Sequence, residues 1–229
     1  MKKSMIITLA VALSAFLLAS CGTAKNVAFP KMYEEDPVVM LVMPPINNSS
    51  AADAKDYFYT TMSVPICESG YYVLPPAATM ATLQRESAYD SELFIDGDLK
   101  KFGQLFGADV AIFTIIKSWD KSLVGSSVTI EIEYIFKSTK TNEILFQRDA
   151  KIKCDTSSNT RLSGFGLVGA LVNLTADAIK TATTDYVSVA VMCNNRALSD
   201  VPYGKYHPKH GADGAEGAMG VKVNISAAK

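Results

Sequence analysis

The chain's hydrophobic pattern opens on a dense apolar block, passes through runs of strand and helix period, and ends with no packing period. Met5 to Ala19 is apolar except for Thr8 and Ser14. Val38-Val39-Met40-Leu41-Val42-Met43 is a continuous apolar run, which suits a strand buried on both faces. Pro44-Pro45 cannot donate to a central ladder, so the chain is expected to turn there, with Asn47-Asn48-Ser49-Ser50 as turn and cap residues. A helix is predicted over 52–68, with Phe58, Met62 and Ile66 on one face. Pro65 should kink it, because its ring meets the carbonyl four residues back. Gly70 ends this helix, and Tyr71-Tyr72-Val73-Leu74 forms a short strand before Pro75-Pro76. Met80 and Leu83 mark a short helix. Asp98 is placed to cap another, with Leu99, Phe102 and Phe106 inside and Gly107 at the exit.

Val110 to Ile116 is apolar on both faces, a further central strand closed by Trp119. Val128, Ile130, Ile132, Tyr134 and Phe136 then alternate with a more polar set, and Ile144, Phe146, Ala150, Ile152 and Cys154 repeat the pattern after a Lys140-Thr141-Asn142 turn. That is a hairpin. Arg148 stands in the apolar stripe and is expected to reach an edge. Glycine-rich residues 164–172 lead into a helical pattern through Leu171, Leu174, Ala178 and Ala182, resumed by Val189, Cys193 and Ala197. The last twenty residues read as a loose tail. The order is βαβααβββα, with parallel strands early and the hairpin late. The fold class is α/β: a mixed sheet of about five strands with flanking helices over residues 37–200, and a loosely ordered 201–229.

The opening block acquires meaning from its flanks. Lys2-Lys3 precede it, and Leu18-Ala19-Ser20-Cys21 close it with small residues before a cysteine. A positive flank, a short apolar core and small residues at the cut form an export signal, and the cysteine makes the segment resemble a lipoprotein signal peptide. Residues 1–20 are then removed, and Cys21 becomes the lipid attachment site, its thiol carrying diacylglycerol and the chain carrying palmitate-type acyl groups. The block is shorter than the roughly 20 residues a membrane-spanning helix needs. Anchoring therefore falls to the acyl chains. Residues 21–36 read as a flexible lipidated linker. Gly22 after the cysteine, in place of an aspartate, points to the outer membrane and its periplasmic face.

Charge and composition narrow the chemistry. The whole chain carries 22 Lys+Arg and 23 Asp+Glu, with no long basic run, so nucleic acid is not an expected partner. Cys67, Cys154 and Cys193 remain beside the anchor. Either Cys154 and Cys193 bridge, which export permits, or all three are small buried hydrophobes. Two histidines, His207 and His210, have no ligand spacing with the cysteines, so no metal is expected, nor any cofactor. Gly164-Phe165-Gly166-Leu167-Val168-Gly169 matches dinucleotide-loop spacing without the strand that should precede it, and reads as a turn or apolar loop. Glu131 and Glu133 share one strand face and read as solvated. Asp109, just before a buried strand, is expected to accept from backbone or from a Lys or Arg. A partner surface is expected at Pro44, Pro45, Asn47 and Asn48, beyond the carboxyl end of the first strand, with Tyr57, Tyr59, Tyr71 and Tyr72, since these aromatics exceed what one buried side accommodates.

Met43-Pro44-Pro45-Ile46-Asn47-Asn48-Ser49, Tyr57-Phe58-Tyr59-Thr60-Thr61, Pro65-Ile66, Gly70-Tyr71-Tyr72-Val73-Leu74-Pro75, Lys101, Phe106-Gly107-Ala108-Asp109, Trp119, Val201-Pro202-Tyr203-Gly204 and His207-Pro208 together resemble the bacterial lipoprotein family typified by the meningococcal vaccine-candidate lipoprotein. The resemblance spans roughly residues 36–208. It implies a domain similar to the amino-terminal domain of TolB and to the curli secretion lipoprotein, and a non-enzymatic envelope lipoprotein that serves a secretion or assembly complex. An envelope protein or a second copy is the implied partner, beside the membrane itself. One alternative is an oligomeric pore subunit similar to the curli secretion channel, built on the hairpin. A second is an uncharacterised periplasmic hydrolase, although no Gly-x-Ser-x-Gly elbow is present.

Overall fold

A computed structural model describes residues 23–122, 127–155 and 186–227. The stretch read as an export segment, Cys21, the glycine-rich stretch and the pattern from Leu171 to Ala182 lie outside these residues. In chain order the elements are β1 (Thr23–Ala24), α1 (Lys25–Ala28), α2 (Pro30–Glu35), β2 (Val39–Val42), β3 (Ile46–Asn47), α3 (Ala54–Thr61) and α4 (Ser63–Glu68). Then come β4 (Tyr72–Val73), α5 (Pro76–Arg85), α6 (Lys100–Phe106), β5 (Val110–Ser122), β6 (Ser127–Ser138) and β7 (Ile144–Asp155). The last are α7 (Tyr186–Ala197), β8 (Gly217–Ala218) and β9 (Lys222–Ala227).

The main sheet runs β4-β2-β5-β6-β7-β9, with β3 also paired to β5. Its early strands β4, β2 and β5 are parallel, and β5, β6 and β7 form the antiparallel meander. This is the mixed α/β architecture read from the sequence, with seven strands among the described residues against an expected five or so. Alternation along the strands makes two cores. Met40, Val42, Val110, Ile112, Ile130, Ile132 and Phe136 face α3, α4 and α7, whereas Leu41, Met43, Ala111 and Phe113 face α5 and α6. Phe58, Met62 and Ile66 are fully buried, as their spacing predicts. Each contributes about 1.5–3 kcal/mol through burial. The break between α3 and α4 falls at Met62, beside Thr61, the residue whose carbonyl the Pro65 ring crowds. Gly107 takes a left-handed φ of 65° at the end of α6, and Asp98 accepts from the Lys100 N–H at 3.0 Å.

Several expectations are corrected. Pro44-Pro45 does not turn the chain away; the strand resumes as β3, pairing Ile46 with Ile115 and Asn47 with Ile116. Two prolines interrupt the ladder without redirecting it. Strand β5 continues past Trp119 to Ser122. Arg148 reaches no edge. It is completely buried, with Asp200 carboxylate oxygens at 2.5 and 2.7 Å, and it also donates to the Ala197 and Gly220 carbonyls. The stretch 21–36 is not a free linker in its described part, because Phe29 and Met32 enter the core and Lys25 is buried. The described part of 201–229 is no loose tail: Val201, Pro202, Gly204 and Asp213 are buried, and β9 extends the sheet alongside β7. Cys67 is exposed rather than buried. Cys154 and Cys193 are buried thiols with sulfurs 3.9 Å apart, and burial pushes the Cys193 thiol pKa up.

Candidate interaction site

Two motifs far apart in sequence meet at the end of the sheet where β2 and β5 begin. Gly70 follows α4 with φ +87°, a conformation that favours glycine, and a Cβ there would stand 2.4 Å from the His207 nitrogen. Gly204 faces it, where a Cβ would fall 2.6 Å from the Gly70 oxygen and from the Tyr71 ring. The absence of both side chains lets the segments hydrogen-bond, Gly204 N–H to Ser69 O at 2.8 Å and Tyr206 N–H to Gly70 O at 3.0 Å. Tyr71 then donates its hydroxyl to Pro202 O at 2.6 Å. The Gly-Tyr-Tyr and Pro-Tyr-Gly motifs are thus two halves of one crossing.

The chain's first described residues lock onto the same segment. Strand β1 pairs with β8, Thr23 against Ala218 and Ala24 against Gly217. Lys25 and Asn26 donate backbone N–H groups to Glu216 O and Gly214 O. The Lys25 ammonium lies 3.3 Å from Asp213 and 3.0 Å from Glu216, and 4.4 Å from the centre of the Tyr203 ring. Burial alone would lower the Lys25 pKa, but the hydrogen bonds to Glu216 and Asp213 more than reverse it. Asp213 also accepts from Tyr203 N–H at 2.9 Å. A buried ammonium and carboxylate are tolerable only when paired in this way.

Beside the crossing lies a cleft of about 190 Å³, lined by Met32, Pro37, Tyr33, Asp36, Tyr71, Tyr203 and His210. His210 bridges its rim, 3.4 Å from Asp36 and 2.8 Å from Tyr203 O. The Tyr203 and His207 rings stack at 3.6 Å. Burial, and then the charge of Asp213, push the phenols of Tyr33 and Tyr71 well above their ordinary range. These hydroxyls stay protonated at neutral pH; that of Tyr71 donates to Pro202 O, whereas that of Tyr33 is buried with no hydrogen-bond partner among the described residues. An aromatic cleft with a carboxylate on its rim suits recognition of another chain's side chains.

The eight residues read from the sequence as a partner surface do not form one surface. Pro44 and Pro45 are buried, and Pro44 O accepts from Ser91 at 2.6 Å. Asn47 closes its own loop, donating to Ala51 O at 2.8 Å and accepting from the Ser49 hydroxyl at 2.7 Å, while Asn48 is exposed. Tyr57 is half-buried against Trp119 and Tyr186. Tyr59 is buried and donates to Pro76 O at 2.8 Å. Tyr71 is buried in the crossing. Tyr72 is exposed on the sheet edge, opposite Val39 and therefore at the far end of β2 from Asn48. Asp109 behaves as read: it accepts from Val38 and Val39 N–H at 3.0 Å each and pairs with Lys140 at 2.8 Å. Glu131 pairs with Lys151 and Glu133 with Lys117 on the polar face. Among the described residues no cluster of three or more His, Cys, Asp or Glu is placed to hold a metal, and no helix is long and apolar enough to cross a membrane.

Lys25, Tyr33, Asp36 and His210 were not expected from the sequence as wall or clasp residues. One signal was present, the apolar Phe29 and Met32 three residues apart in a stretch otherwise polar enough to pass for a linker.

The chain has relatives among known proteins. A curated one, "Putative lipoprotein NMB1124/NMB1162" of Neisseria meningitidis serogroup B, is 26% identical over 187 residues, covering 80% of this chain and 84% of its own. The crystal structure of lipoprotein GNA1162 from Neisseria meningitidis shares the fold with a TM-score of 0.50 at 24% identity, over 64% of this chain and all of that one. The PelC dodecamer from Paraburkholderia phytofirmans is a looser likeness, with a TM-score of 0.40 and 10% identity over 75% of this chain and 90% of its own. Residues 27–206 match the profile of the family described as "Putative lipoprotein GNA1162-like", and the chain belongs to that family of lipoproteins.

Proposed function

We propose that the chain is a non-enzymatic envelope lipoprotein, anchored through lipid on Cys21 to the periplasmic face of the outer membrane, whose domain binds a protein partner as an accessory of a secretion or assembly complex. The observation that carries this reading is the use made of the motif residues. They interlock and, with residues 32–37, wall an aromatic cleft, and the next residue after Tyr71 is the exposed edge tyrosine Tyr72, while the acids Asp109, Glu131 and Glu133 are engaged by backbone or lysine. The partner face is the cleft with the β4 edge, and Asn48 belongs to a separate surface.

The pore reading has less support. One face of the hairpin β6–β7 is packed in the core, and the other carries Glu131, Glu133, Asp149 and Lys151, ion-paired within the hairpin or to Lys117 of β5, which suits water rather than lipid. A photocrosslinking residue at Tyr72, at His210 or at Asn48, in the lipidated protein in native envelopes, tests the proposal. Tyr72 and His210 are expected to yield an adduct of one defined mass. Adducts at Asn48 alone, or at none of the three, contradict it.

A further inference from the structure

The clasp at the start of the chain fixes how the domain meets a bilayer. We infer that the sheet end carrying the β1–β8 pair is a membrane-facing surface whose partner is the lipid headgroup layer, and that the cleft opens close to that layer. This rests on the reading of Cys21 as the acylated residue. Thr23 is two residues beyond Cys21, and two residues span at most about 7 Å. Thr23 is already paired with Ala218, and Lys25 is already buried between Asp213 and Glu216. No slack remains for a tether, so the anchor holds the domain by a chosen end.

The end is identified by what the amino-terminal helices cross. Lys31 pairs with Glu143 at 2.8 Å, just before β7 begins, and Glu35 accepts from Ser138 and Thr141 at 2.7 Å, where β6 ends. Asp109, just before β5, binds the backbone at the start of β2. The β1–β8 pair, the clasp and the cleft therefore share the end at which β2, β5 and β7 start. The 47–50 loop lies about 20 Å farther along the sheet, since β3 pairs with Ile115 and Ile116, midway along β5. One further feature suits the near side: Val27 of α1 is 68% exposed. A cleft at the headgroup level favours a partner held in the same membrane.

The test uses the full lipidated chain in vesicles of phosphatidylcholine that include a headgroup nitroxide. A fluorophore is placed on Ala215→Cys, an exposed position between the Gly214 and Glu216 carbonyls of the clasp, or on Ser50→Cys, exposed beyond β3 and away from the clasp. Both variants carry Cys67→Ser, because Cys67 is exposed, whereas Cys154 and Cys193 are buried and stay unlabelled in the folded protein. The Ala215 label is expected to lose severalfold more fluorescence than the Ser50 label. Inserting twenty Gly/Ser residues between Gly22 and Thr23, a coil with an r.m.s. length of about 25 Å, should bring the two positions to the same low quenching. Equal quenching at both positions in the native-length chain, or undiminished quenching at Ala215 after the insertion, overturns the orientation while leaving the anchor intact. A chain that fails to float with the vesicles overturns the anchor, and the orientation with it.

Discussion

At the scale of single residues, the features that matter most are buried polar groups that pair across long sequence separations. Arg148 and Asp200 are the clearest. Removing one member of such a pair strands the other without solvent, which costs about 3–5 kcal/mol, whereas replacing both with apolar residues is often close to neutral. Arg148→Met should therefore destabilise the domain by about that much, and Arg148→Met with Asp200→Leu should recover much of the loss, as measured by urea unfolding. Asp109 gives a pH signature. Burial works to raise its pKa, but the Lys140 hydrogen bond and the Val39 and Val38 N–H groups together lower it. A depressed carboxylate contributes stability that is present above its unfolded pKa and lost as pH falls through its folded value. Asp109→Asn should thus be less stable than the parent at neutral pH, and the gap should close in acid. The role of Asp109 was legible because it stands next to a buried strand. Arg148 was misread because nothing local announces Asp200, and Asn194, which accepts from Tyr134 at 2.8 Å and donates to Thr61 at 2.9 Å, was equally hidden on a helix face.

At the scale of elements, the strands and helices of strong period were readable, and so were the prolines and glycines that bound them. The weak points were short elements held by tertiary partners. Strand β3 has two residues and exists because β5 offers a ladder; β1 exists because β8 does. Strand β9 carried a signal that the glycine- and alanine-rich surroundings masked: Val221, Val223 and Ile225 alternate with Lys222, Asn224 and Ser226. Val223 and Ile225 are half-buried against the core, and Met219 N–H reaches Asp200 at 2.6 Å just before the strand. Val223→Asp with Ile225→Asp should detach β9. Hydrogen exchange should then show faster exchange in β7 while the amides of β5 and β6 stay protected. Loss of protection throughout the sheet would mean that β9 is integral to the core.

At the scale of the whole molecule, the order of elements and the division into early parallel strands and a late hairpin were legible, and the family resemblance was carried by motifs whose reason is now visible. Gly70, Tyr71, Pro202, Gly204 and His207 occur together because two backbones cross there without room for a Cβ. The candidate site was only partly legible. Aromatic residues were counted as surplus to one buried face, but Tyr59 and Tyr71 are buried with their hydroxyls satisfied by carbonyls. The wall of the cleft comes instead from the stretch read as a linker. Gly204→Val should split the crossing, and limited proteolysis should then cut within residues 199–216 faster than in the parent. The role proposed for the domain depends above all on the chemistry of Cys21. Mass spectrometry of the amino-terminal peptide from the protein in native envelopes tests it most directly. The predicted result is a peptide that begins at Cys21 and carries a thioether-linked diacylglycerol with an added acyl chain. A peptide retaining residues 1–20, or an unmodified Cys21, would contradict it.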